Sequence, residues 1–147
     1  MEVASLVAGW GYPDYVVAGA VLHDVLENTD ASVEDIEERF GREVAHLVET
    51  VSDDPSLTDE DERKDELRER VRRAGGDAAV VYAADKVSKV RELRIALAAG
   101  VPRKAVDVKL RRHQDSLVML EQRMPGTEIV ELLRRELKTF DEVSPPV

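Results

Sequence analysis

The sequence contains no cysteine. That excludes disulfides and thiolate metal sites, and it leaves His, Asp, Glu and water as ligands for any metal ion. Such a donor set suits Mn²⁺, Mg²⁺, Fe²⁺ or a His-rich Zn²⁺ site rather than a Cys-type structural zinc. No apolar run approaches the roughly 18 residues of a membrane span, and the start of the chain does not read as a signal peptide. The expected compartment is therefore the cytoplasm, with no membrane partner. Positive charge is also short, because 21 Lys and Arg stand against 31 Asp and Glu, a formal net charge of −10. That surface argues against nucleic acid as a partner while leaving room for a local basic pocket. Convincing strands, internal repeats and low-complexity segments are missing too. At 147 residues the chain is most simply one domain, 1–147, able to bury a core without staples.

What remains is a series of segments with helical spacing of apolar residues, which predicts an all-α fold of about seven helices. A short helix ends at Gly9-Trp-Gly11, with Trp10 as a packing anchor at the turn. Pro13 opens a second, running from about Val16 to Leu26. Ser32, followed by Glu34 and Asp35, caps a helix from Val33 to Phe40. Val44, Leu47, Val48 and Val51 mark the next helix, which closes at Ser52-Asp53-Asp54-Pro55. Thr58 with Asp61 is expected to cap a charge-dense helix over about Asp59 to Arg73, broken by Gly75-Gly76. Long helices follow over Asp77 to Ala99 and Arg103 to about Arg123. A last one reaches Phe140, and a loose tail is expected from about residue 142.

Two features of this pattern are chemically out of place. The apolar helix ending at Leu26 carries His23, Asp24, Glu27 and Asn28 in its last turn. At 100° per residue His23 and Glu27 lie one turn apart on one face, and Asp24 sits beside His23, so the pair can converge on one point with Glu27 above it. Far downstream, Asp85 interrupts Ala78-Ala-Val-Val-Tyr-Ala-Ala. An isolated carboxylate in such a helix is costly unless a cation, a metal or several donors meet it. One metal ion held by His23, Asp24 and Asp85 would satisfy both. His46 and His113 read instead as structural or exposed.

Three ordered segments, Ala20-Val-Leu-His-Asp-Val-Leu-Glu-Asn-Thr29, Phe40-Gly-Arg-Glu-Val-Ala-His-Leu-Val48 with Val51-Ser-Asp53, and Ala84-Asp-Lys-Val-Ser-Lys-Val-Arg-Glu-Leu93, resemble the HD-domain metal-dependent phosphohydrolases. The likeness is closest to the hydrolase domains of stringent-response enzymes that remove pyrophosphate from guanosine tetraphosphate and pentaphosphate. It implies an HD-type helical bundle and a divalent metal held by His23, Asp24 and Asp85. The family's fourth ligand, a His on an upstream helix, would fall just before Met1, so the N-terminal helix is expected to lack its start. The resemblance also implies catalytic roles for Glu27 and Asn28, the latter standing where the family carries Asp. Asn cannot exchange a proton but still donates a hydrogen bond. Lys64 resembles a family lysine near the phosphate mouth. Tyr82 and Lys89 occupy positions where the family's Lys and Asn touch the nucleotide, and Lys86 adjoins Asp85. Arg91 and Arg94 add to the charge available for a phosphate. The implied substrate is a small phosphorylated compound, a nucleotide above all, with self-association left open. The alternative is a degenerate HD domain that binds a nucleotide or partner without turnover.

Overall fold

In a computed structural model, which describes residues 2–143 and the side chains of residues 2–140, the chain is all-α, as the spacing of its apolar residues predicts. Nine helices occur among the described residues: α1 (Glu2–Gly9), α2 (Asp14–Leu22), α3 (Val25–Asn28), α4 (Val33–Phe40), α5 (Arg42–Thr50), α6 (Glu60–Ala74), α7 (Gly76–Ala98), α8 (Arg103–Arg123) and α9 (Glu128–Val143). One reason for the larger number is that the helix expected to run through to Leu26 is interrupted after Leu22. The last helix continues past Phe140, and the rest of the expected loose tail, 144–147, lies outside the described residues. Among those residues no helix is long and apolar enough to cross a membrane.

The chain divides into two compact units, one ending at Tyr82 and one beginning at Ala83, with α7 continuous through the division. In the first unit α1 packs on α2, α2 on α5, α4 on α5, and α5 on α6. Ile36, Val44, Ala45 and Val48 form a buried cluster against which Tyr15, Leu22, Val25, Leu26 and Val33 lie. The close approach of α2 to α5 depends on Gly19. A Cβ there would stand 2.4 Å from Cδ2 and 3.0 Å from Cγ of Leu47, so any larger residue would have to displace that side chain. This brings the helix that delivers His23 onto the helix that delivers Ser52 and Asp53.

Local signals account for the helix ends. Ser32 and Asp35 form a reciprocal capping box, Asp35 N–H to Ser32 Oγ at 3.1 Å and Ser32 N–H to Asp35 Oδ2 at 2.9 Å. Gly41, at φ 94, turns the chain from α4 into α5, a conformation glycine adopts without steric cost. The cap of α6 is Asp59, which accepts from Glu62 N–H at 2.9 Å, and not the Thr58 expected from the sequence. A carboxylate at this position also meets the positive end of the helix, which a hydroxyl does not.

In the second unit α8 packs on α9, and Val106, Leu110, Leu120, Ile129, Leu133 and Phe140 of these two helices are buried. Arg103 lies over the Phe140 ring, 5.3 Å from its centroid. Glu136 binds Arg91 at 3.0 Å and Arg94 at 2.6 Å, and the Glu136 carbonyl accepts a further bond from Arg94 at 3.2 Å. These two arginines therefore tie α7 to α9.

Gly19→Val tests the close helix contact. It should lower unfolding stability by about 1–3 kcal/mol, the usual cost of overpacking, read as a lower urea midpoint with an unchanged slope. An unchanged midpoint would mean that α2 and α5 do not meet there.

Candidate active site around the His23–Asp24 turn

The site begins with the break after Leu22. The His23 Nδ1–H donates to the Ala20 carbonyl at 2.6 Å, competing for the acceptor that the Asp24 amide would use to continue the helix. His23 still has helical dihedrals, φ −56 and ψ −27, whereas Asp24 moves to φ −99 and ψ −1. The chain then makes the single turn of α3, held by Glu27 and Asn28 amides on the Asp24 carbonyl and by the Thr29 amide on that of Val25. Glu27 thus follows the pair across a tightened turn, and the simple one-turn register expected from an unbroken helix does not apply.

Because a carbonyl only accepts, the bond to Ala20 puts hydrogen on Nδ1 of His23 and turns Nε2 toward Asp24, whose Oδ2 is 3.2 Å away. A carbonyl bond of this kind orients histidine ligands in metal sites. Two donors each about 2.1 Å from one ion, at a right angle, stand about 3.0 Å apart. The spacing of Nε2 and Oδ2 therefore suits neighbouring positions around a divalent cation. The imidazole is largely covered, at 16% exposure, while Asp24 at 45% keeps contact with solvent. Among the described residues, however, no group of three or more His, Asp or Glu side chains stands ready to hold a metal.

Glu27 lies beside the Ser52-Asp53 loop, which belongs to the segments that carry the family resemblance but for which the sequence suggests no site role. Its Oε1 accepts from the Asp53 amide at 2.7 Å. Asp53 Oδ2 in turn binds Lys64 Nζ at 3.0 Å and Arg63 Nε at 3.4 Å. Ser52 Oγ donates to the Val48 carbonyl at 2.6 Å and reaches that of His23 at 3.4 Å. From the other side Arg70 donates to the carbonyls of Glu49, Thr50 and Ser52, the last at 2.6 Å. Glu27 as a residue keeps an exposed face, but burial of its carboxylate pushes its pKa up. The Asp53 N–H opposes that rise, the charges of Asp53 and Asp24 add to it, and Lys64 lowers it. Glu27, Asp53, Arg63 and Arg70 line a cavity of about 980 Å³ with Leu26 and Val33 on its apolar side.

Asn28 is exposed at the end of α3. Tyr82 is buried in α7 within the first unit. The remaining expected residues lie in the second unit. Asp85, at 16% exposure, is bound by the neighbouring Lys86 at 3.2 Å, and that lysine is itself buried. Lys89 is half-exposed and 3.9 Å from Glu92. Arg91 and Arg94, counted as charge for a phosphate, are instead engaged by Glu136. His46 is exposed, as expected. His113 is held neutral, its pKa pushed down to about 3 by burial and then by Lys86, with Asp85 opposing.

A family model described as an HD domain matches residues 1–113, and the chain belongs to that family. The HD-domain hydrolases are metal-dependent, which agrees with the donor pair at His23 and Asp24. Among individual relatives, the chain is 41% identical over 85 residues to the guanosine-3′,5′-bis(diphosphate) 3′-pyrophosphohydrolase MESH1 of Drosophila melanogaster, covering 58% of this chain and 47% of that protein. The corresponding pyrophosphohydrolase of Aquifex aeolicus is 33% identical over 95 residues, 63% of this chain and 14% of its own. The chain thus spans about half, or less, of the length of these curated relatives. A solved metazoan ortholog of SpoT that hydrolyses ppGpp superposes with a TM-score of 0.82 at 29% identity, covering 97% of this chain and 78% of that one. A Listeria monocytogenes structure superposes at 0.83 and 25% identity, covering 94% and 92%.

The raised Glu27 pKa has a defined sign in stability. A carboxyl titrating higher in the folded than in the unfolded chain costs stability as pH rises from its unfolded value, near 4.5, through its folded value, because the unfolded chain ionises first. Glu27→Gln removes that cost. Urea unfolding of both proteins at pH 4 and pH 7 should show wild type losing stability relative to Glu27→Gln at the higher pH. A difference that moves the other way, or not at all, contradicts a desolvated Glu27.

Proposed function

We propose that this chain carries the site of a metal-dependent pyrophosphohydrolase acting on a guanosine polyphosphate or a closely similar nucleotide in the cytoplasm. The observation that carries this reading is the His23 ring held by the Ala20 carbonyl through Nδ1, with Nε2 facing Asp24 Oδ2 at a spacing that suits two ligands of one ion. His23 and Asp24 would hold the ion with Asp85 as a third protein ligand, and Mn²⁺ is compatible with such a nitrogen and carboxylate set. When bound, the ion lowers the pKa of water and polarises a phosphoryl oxygen.

The chain's own groups supply the rest. Glu27 has one oxygen occupied by the Asp53 amide, so its second oxygen orients an attacking water and takes its proton. A raised pKa brings Glu27 closer to the working range of a general base. Asn28 donates a hydrogen bond and moves no proton. Lys64 meets phosphate charge. Lys86 and Lys89 do the same from α7, with Tyr82 against the nucleotide. The activities of the MESH1 and SpoT-type relatives support this choice of substrate.

Asn28 also favours a second reading, an HD domain that binds a nucleotide without turnover, because its amide cannot replace an acid or base.

Elemental analysis of protein purified without chelator, beside a His23→Ala, Asp24→Ala variant, tests the first step. Near-stoichiometric transition metal should be present in wild type and absent from the variant. Release of pyrophosphate from guanosine tetraphosphate should fall at least about a hundredfold in the variant. Lack of bound metal even after incubation with Mn²⁺ rejects the enzyme. Metal with tight nucleotide binding and no release favours the second reading.

A further inference from the structure

We infer that Asp53 is a positioning residue that sets Glu27 and Lys64 relative to one another, its main chain fixing the base and its side chain the phosphate-facing cation. The inference rests on the hydrolase reading of Glu27 and Lys64 and extends it to a residue outside the expected site.

Three observations carry it. Asp53 uses opposite polarities in opposite directions: its N–H meets the Glu27 carboxylate at 2.7 Å, and its own carboxylate meets Lys64 at 3.0 Å and Arg63 at 3.4 Å. A carboxylate in place of the N–H would repel Glu27, and an N–H in place of the carboxylate would not hold an ammonium, so only this orientation serves both groups. The loop cannot easily rotate away, because Ser52 is bonded toward His23 and Val48 on one side and accepts from Arg70 at 2.6 Å on the other. Finally, Asp53 is only 17% exposed, and its Oδ1 is buried without a hydrogen-bond partner among the described residues. A carboxylate present only to brace α6 would gain by satisfying both oxygens.

The arrangement makes Asp53 and Lys64 act as a unit on substrate affinity. Asp53→Asn keeps the shape and the N–H but removes the charge that steers Lys64. With guanosine tetraphosphate and Mn²⁺ it should raise KM about three- to tenfold, with kcat changed less. Lys64→Met should raise KM by a similar factor, and the double variant should be no worse than Lys64→Met alone. Independent effects, with the two KM factors multiplying, overturn the inference.

A second arm needs no turnover and no substitution at Asp53. In ¹H–¹⁵N spectra the Asp53 amide, donating to a carboxylate, should resonate far downfield and move upfield in Glu27→Gln. An amide shift indifferent to that substitution overturns the arrangement even if the enzyme is active. If wild type shows no turnover while the amide responds, the hydrolase reading fails and the positioning geometry stands.

Discussion

The bond from the His23 Nδ1–H to the Ala20 carbonyl is the interaction on which the site depends. It does two things with one proton. It fixes the ring orientation so that Nε2 faces Asp24, and it takes part of the acceptor that α2 would use to continue. Without the break, Asp24 would stay on the helical path and α3 would not turn toward the Ser52-Asp53 loop. The orientation of a ligand and the direction of the chain after it are thus consequences of one contact.

That contact is useful only because α2 lies hard against α5. Gly19 permits the approach, and the apolar faces of α4 and α5 supply the burial that holds it. The end of α5 then delivers Ser52 and Asp53 to the turn, while Arg70 of α6 satisfies three carbonyls at that end. Helix C-termini leave carbonyls unmet, and here a guanidinium from the next helix meets them. The same cation that finishes α5 also pins the loop that reaches Glu27. Packing, capping and site geometry in the first unit are therefore one set of bonds rather than three.

The helices could be read from the spacing of Val44, Leu47 and Val48, from Ser32 with Asp35, and from the glycines at 41, 75 and 100, because those signals are local. His23, Asp24 and Asp85 stood out because polar groups in apolar helices demand partners. The break after Leu22 could not be read, since Ala18 to Leu26 is uniformly compatible with helix and the competitor is a side-chain bond three residues back. Asp53 was passed over because Ser-Asp-Asp-Pro is an ordinary helix stop, and nothing local tells a solvated Asp from one whose amide meets a carboxylate 26 residues earlier. A signal was present in retrospect: Arg63-Lys64 placed near the start of a helix otherwise led by acids. Arg91 and Arg94 failed the opposite way, since their partner Glu136 is 42 or more residues distant and reads as one more surface acid.

The fate of those arginines bears on what the protein can bind. With a net charge of −10, most cations find an internal carboxylate: Arg63 and Lys64 at Asp53, Arg70 at Glu66, Arg91 and Arg94 at Glu136. A cation already paired with a carboxylate offers little net field to a distant polyanion, and nucleic-acid affinity draws on many phosphates neutralised at once. A compact phosphate entering close to a paired lysine meets different physics. At contact distance it competes directly with the carboxylate for one ammonium, and a lysine, with three donors on a flexible stem, can serve both. Lys64 at Asp53 is such a lysine, so its ion pair does not by itself bar the phosphate contact proposed for it.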